Sequence, residues 1–101
     1  MVISPPPYRM VINVQGTISP WQEAKVPAMD HGFLYGDSVY EVVRTYLGVP
    51  FHLDRHLERL ERSAAALELA LPPRETLLGW LKSALRAAGN PESYARLIVT
   101  R

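Results

Sequence analysis

The sequence predicts an α+β domain in which a mainly antiparallel sheet is packed by two helices. Three observations carry that expectation. The run Ser38 to Tyr46 is rich in valine, tyrosine and threonine, residues that suit a pleated surface. Two later segments place leucine and alanine at helical spacing. The closing stretch "SYARLIVTR" returns to strand character. Strands, two helices and a strand in that order make α+β, not alternating α/β. With 101 residues the natural prior is one domain with a small core.

The elements follow in chain order. Pro5, Pro6 and Pro7 disfavour both helix and ladder, so residues 1–9 are expected to form an extended arm, with the domain proper over 10–101. "RMVINVQG" reads as a strand, Met10 to Val14, ending at Gly16. A polar connection with Pro20 and Pro27 leads to "MDHGFLYGDSVYEVVRTY", in which Gly36 and Asp37 belong to the turn that opens the strand Ser38 to Tyr46. "LGVP" is a turn signal, and Val49 to His52 can pair back as a hairpin. Asp54 is a candidate N-cap. Beyond it Leu53, Leu57, Leu60, Ala64 and Leu67 fall within an arc of about 80°, which predicts an amphipathic helix from Arg55 to roughly Leu69.

"LPPRETLLGWLKSALRAAGN" predicts a second helix with Leu77, Leu78, Leu81, Leu85 and Ala88 on one face. Prolines stand at its start and Gly89 at its end, as helix boundaries favour. Gly79 inside it costs about 1 kcal/mol relative to alanine. The last strand pattern runs to Arg101 without a turn signal, so the chain is expected to be part of something larger.

Composition narrows the function classes. A net charge of +1 gives no electrostatic footprint for nucleic acid, and no basic tract marks a membrane surface. No apolar run approaches the roughly 18 residues of a spanning helix, and "MVISPPPYRM" lacks a signal-peptide layout. The absence of cysteine removes disulfides and thiolate metal sites and fits a reducing cytosol.

The chemistry-bearing residues gather in three places. In the strand Ser38 to Tyr46, alternation puts Tyr40, Val42, Arg44 and Tyr46 on one face and Val39, Glu41, Val43 and Thr45 on the other. Neither face is cleanly polar, and a polar group inside a two-sided strand needs a partner. One account is an edge strand with Glu41 and Arg44 in solvent or in a cross-strand ion pair. The other points Tyr40 and Arg44 into a wet pocket for an anion, since an arginine and a phenol suit a carboxylate.

In "DRHLERLERS", His52 and His56 have the spacing of a helical metal pair but no third ligand, so solvated or hydrogen-bonded imidazoles are expected. Glu58 and Arg62 make an i,i+4 pair on the outer face. Arg59 lies on the shoulder of the apolar arc, where its fork can reach a neighbouring phosphate or remain an ordinary surface charge. Tyr94 and Arg96, two apart in the last strand, share a face and can hold a carboxylate or simply rim the sheet.

Taken together, "DHGFLYGDSVYEVVRTY", "HLERL" and "SYARLIVTR" resemble the N-terminal small domain of the class IV (fold-type IV) pyridoxal-phosphate-dependent aminotransferases. That family includes branched-chain aminotransferases, D-amino-acid aminotransferases and aminodeoxychorismate lyases. The resemblance covers about residues 10–101. It implies that Arg59 matches the arginine that binds the pyridoxal 5′-phosphate phosphate. It also implies that Tyr35, Tyr40 and Arg44 line the substrate pocket, and that Tyr94 and Arg96 stand near the substrate carboxylate.

The resemblance further implies an amino-acid or 2-oxo-acid substrate, a homodimer or higher homo-oligomer, and a cytoplasmic enzyme. The family's cofactor-bearing lysine lies in a second domain; Lys25 and Lys82 match no such position, so the chain by itself is expected to be inactive. "YEV" at Tyr40 to Val42, where branched-chain enzymes usually have "FEG", leans to the D-amino-acid type, whereas Tyr94 and Arg96 lean to the branched-chain type. A lyase on the same scaffold and a non-catalytic binding module are the alternatives.

Overall fold

A computed structural model of the chain describes residues 9–101; the arm expected over 1–9 lies outside this range but for Arg9. Two hairpin strands come first, β1 (Val11–Val14) and β2 (Thr17–Pro20), followed by a five-residue helix α1 (His31–Tyr35). Strand β3 (Ser38–Tyr46) turns into the short β4 (Val49–Pro50). Helices α2 (Leu53–Ala66) and α3 (Arg74–Ala88) lead to the final strand β5 (Tyr94–Thr100). The α+β class and the antiparallel pairing are as expected.

β3 is the centre of a three-stranded antiparallel sheet of order β4-β3-β5. Its register with β5 runs from Ser38 opposite Thr100 to Arg44 opposite Tyr94. The expectation of an edge strand is therefore corrected: β3 has a neighbour on each side, although β4 pairs only with Thr45 and Tyr46. One face of β3 lies under α2. Val39, Leu60, Ala64, Leu69 and Leu77 form the core, with Leu71, Trp80 and Val99 packed around them. Leu60 is fully buried, and each such leucine contributes roughly 1.5–3 kcal/mol by leaving water. α3 lies beside β1, where Asn13 Nδ2 donates to the Trp80 carbonyl at 3.2 Å.

Several local expectations change. α2 begins at Leu53, and its cap is His52 in the left-handed region (φ 54) with no side-chain capping bond; Asp54 instead puts its charge in the first turn, where the helix dipole favours it. The tight passage from β4 into α2 sets this start. The helix ends at Ala66, about three residues before the expected Leu69. Leu67 is then left exposed, while the left-handed Glu68 swings Leu69 into the core in its place. The polar connection after Gly16 contains β2, because Asn13 Oδ1 accepts from the Gly16 amide at 2.7 Å and closes a tight hairpin. α3 ends as expected at a left-handed Gly89 (φ 66), whose N–H donates to the Leu85 carbonyl.

Candidate functional site

Glu41 is the residue around which the site is built. It stands on β3 between Val39 and Val43, faces α2, and is only 6% exposed. A carboxylate held that far from water needs partners. Arg59 Nε donates to Oε2 at 2.8 Å and Arg59 Nη2 donates to Oε1 at 2.7 Å. His56 Nδ1 lies 2.7 Å from Oε1. The two partners are three apart on α2, one helical turn, so both reach the same carboxylate.

The hydrogen bonds from Arg59 hold the Glu41 carboxyl below the usual glutamate range against the opposing effect of burial, and His56 adds to the lowering. Glu41 in turn raises Arg59 above its ordinary value. An ionised carboxylate only accepts, so His56 Nδ1 carries the hydrogen. His56 Nδ1 is turned to Glu41, and no group of three His, Cys, Asp or Glu side chains is gathered for a metal among the described residues.

A guanidinium has two bidentate edges. In Arg59 the Nε/Nη2 edge is taken by Glu41, while the Nη1/Nη2 edge has no partner among the described residues and the side chain is 60% exposed. Fork geometry of this kind matches a phosphate or carboxylate.

The opposite face of the sheet is open. Tyr40 and Arg44 on β3 share it with Tyr94, Arg96 and Ile98 on β5, because Arg44 pairs with Tyr94, Val42 with Arg96 and Tyr40 with Ile98. The Arg96 guanidinium lies 5.5 Å from the Tyr40 ring centroid and that of Arg44 5.8 Å from the Tyr46 ring. Each arginine thus rests on an aromatic face, a favourable cation–π arrangement that leaves N–H groups for a ligand.

Tyr35 ends α1 and is exposed, with its ring edge-on to His31 at 5.3 Å. Two ties fix α1 to the end of β5. Asp30 accepts from the Phe33 amide at 3.2 Å and from Thr100 Oγ1 at 2.6 Å. Asp37 accepts from Arg101 Nε at 2.7 Å just after Gly36, the left-handed end of α1 (φ 70).

The six residues singled out from sequence therefore fall in three places. Tyr40, Arg44, Tyr94 and Arg96 share the open sheet face, Tyr35 stands at the end of α1, and Arg59 reaches the α2 side of β3. Glu41 is not in solvent, which corrects one of the two accounts of the strand: the facing helix supplies Arg59 as its counter-charge and His56 as a second hydrogen-bond partner. Its sequence signal was a carboxylate alternating with Val39 and Val43 opposite an arginine on a helix shoulder. The Glu58–Arg62 pair expected on α2 is not formed; Glu61 instead takes Arg74 of α3, an interhelical contact that i,i+4 spacing does not foresee. Lys25 lines an open depression with Val14, Thr17 and Glu23, and Lys82 is exposed on α3; neither belongs to these groups.

Fold and site together define an α+β domain carrying a carboxylate-held arginine on one side of a sheet and an open tyrosine–arginine face on the other. The chain belongs to the family described as Amino-transferase class IV, whose family model matches residues 38–101. It is 40% identical over 93 residues to a Methanocaldococcus jannaschii protein provisionally named a branched-chain-amino-acid aminotransferase, covering 91% of this chain and 32% of that protein. It is 37% identical over 81 residues to a Listeria innocua D-alanine aminotransferase, covering 80% of this chain and 28% of that enzyme. Among solved structures it superimposes with a TM-score of 0.78 and 31% identity on the branched-chain aminotransferase of the archaeon Thermoproteus uzoniensis with norvaline, covering 91% of this chain and 33% of that one. A further branched-chain amino acid aminotransferase, complexed with N-(5′-phosphopyridoxyl)-L-glutamate, superimposes with a TM-score of 0.77 and 32% identity, covering 89% of this chain and 32% of that one. The chain thus spans about a third of the length of the relatives it matches. No helix among the described residues is long and apolar enough to cross a membrane.

Proposed function

We propose that this chain is the small-domain part of a pyridoxal-phosphate-dependent aminotransferase that moves an amino group between an amino acid and a 2-oxo acid. The single observation that carries the assignment is the half-used guanidinium of Arg59, clamped by Glu41 on one edge and open on the other. A relative of 32% identity bound to a phosphopyridoxyl amino acid supports the same cofactor here. Bound pyridoxal phosphate supplies the electron sink that makes amino transfer feasible.

This chain's own residues bind and orient. Arg59 holds the phosphate through its open edge. The further roles rest on the class IV resemblance and not on the sheet geometry: Arg44 and Arg96 would attract the substrate carboxylate, and Tyr40 and Tyr94 would orient it. Tyr35 closes the pocket from the end of α1. The lysine that carries the cofactor would come from a further domain, as the class IV resemblance implies; Lys25 and Lys82 match no such position. The amino donor is a branched-chain or a D-amino acid, the two classes carried by the names of the relatives. The enzyme is cytoplasmic and works as a homodimer or higher homo-oligomer, as the class IV resemblance implies.

The test is amino transfer to 2-oxoglutarate by the full-length polypeptide carrying this chain, run with L-leucine, L-valine and D-alanine and read by chromatography. Turnover with one class and not the other assigns the substrate. Arg59→Ala is expected to raise the dissociation constant for pyridoxal phosphate roughly 30-fold, with Arg59→Lys restoring only part because an ammonium lacks the fork. Binding by Arg59→Ala as tight as by an Arg62→Ala control would refute the phosphate assignment.

A further inference from the structure

We propose that Glu41 is a positioning residue for anion binding: its carboxylate, oriented by His56, locks the inner edge of Arg59 so that the outer edge stands as a fixed two-donor cradle. This inference rests on the assignment of the phosphate to Arg59. Three observations converge on it. Glu41 is 6% exposed on β3, where its backbone pairs with Leu97 of β5. Its two oxygens take Arg59 Nε and Nη2 at 2.8 and 2.7 Å, so the guanidinium plane is fixed by two bonds and cannot swing about one. His56 Nδ1, 2.7 Å from Oε1, keeps the carboxylate itself from rotating.

Without this clamp a 60% exposed arginine samples many rotamers, and an incoming anion must freeze them out. With it, the rotamer entropy is lost on folding and the donors are already aimed. Glu41 also lies close enough to an anion on Arg59 to repel it, so charge and positioning act in opposite directions. Two variants separate them. Glu41→Gln removes the charge and one of the two acceptors. Glu41→Asp keeps the charge but retracts the carboxylate by one methylene, out of reach of both donors at once.

The experiment measures, in the full-length polypeptide, the preference for pyridoxal 5′-phosphate over unphosphorylated pyridoxal as a ratio of dissociation constants. A second readout is the rise in melting temperature that inorganic phosphate gives the cofactor-free protein. Arg59→Ala is expected to lower the preference roughly 30-fold and to abolish the phosphate-induced rise. Glu41→Asp and Glu41→Gln are each expected to lower it about fivefold and to shrink the rise. On the Arg59→Ala background Glu41→Gln is expected to change nothing further, which a general loss of packing would not reproduce. His56→Ala, which frees one carboxylate oxygen from a partner, is expected to lower the preference about twofold and serves as the deciding variant if both Glu41 variants fail to fold.

An unchanged preference in Glu41→Asp, a raised one in Glu41→Gln, or an equal effect of Glu41→Gln with and without Arg59 overturns the positioning role while leaving Arg59 as the phosphate ligand. With only His56→Ala to measure, an unchanged preference overturns it. An unchanged preference in Arg59→Ala overturns both.

Discussion

Replacing Glu41 by glutamine should cost stability at neutral pH and cost almost nothing in acid. Glutamine fills the same volume beside Val39 and Val43 but has one acceptor oxygen for three donors, and its own amide N–H groups face those of Arg59. Charge-assisted hydrogen bonds are worth roughly 1.5–3 kcal/mol each. Arg59 is more than half exposed, so screening by water reduces the loss, and about 2 kcal/mol in total is expected at pH 7.

The sign of the pH dependence follows from Glu41 being held below its ordinary value of 4.5, by the Arg59 hydrogen bonds first. Its stabilisation is therefore fully present above that value and is lost as pH falls through the lower folded value. Below that point the wild-type side chain is a neutral carboxyl, nearly isosteric with glutamine. Asp30 and Glu92 are lowered as well, the first mainly by Thr100 and the second mainly by the Gly48 amide. Both proteins carry these two groups, so they cancel in the difference. Urea unfolding at pH 7 should show a midpoint lower by about 1 M in Glu41→Gln, and the gap should close as the pH is lowered toward 3. A gap that stays constant over that range would refute the ionised clamp.

Three other outcomes follow from local geometry. At Gly79 a Cβ would meet nothing within 4 Å, so Gly79→Ala should stabilise by about 1 kcal/mol and raise the melting temperature by about 4–8 °C, as calorimetry would show. At Gly32 a Cβ would overlap Thr100 Cγ2 and lie 2.8 Å from Thr100 Cβ; Gly32→Ala should destabilise by about 1–3 kcal/mol and raise amide exchange in α1, and unchanged exchange would argue against the α1–β5 tie. The 101-residue chain alone should self-associate through the face bearing Tyr40, Tyr94 and Ile98, and a monomer at high concentration in sedimentation velocity would count against this.

The sequence by itself determined the elements whose signal is local. The span of β3, the leucine face of α3, the Gly89 stop and the burial of Leu57, Leu60 and Ala64 all follow from spacing and end chemistry within a few turns of chain. Sharing of one face by Tyr40 and Arg44, and by Tyr94 and Arg96, follows from the two-residue period. The tertiary structure decided what local spacing leaves open. β3 was two-sided in pattern, and only the packing of α2 made the Glu41 face the inner one and the Tyr40 face the open one. The partners of Glu41 are 15 and 18 residues away, and that of Glu61 is 13 away, so no period in the sequence couples them. Leu69 displaced Leu67 because the chain had to leave α2 and turn toward α3, a demand of the layer and not of the helix. Buried charge is where the difference is sharpest. A strand pattern shows that a carboxylate such as Glu41 must be satisfied, but the donors that satisfy it are fixed by which helix the fold lays across that strand.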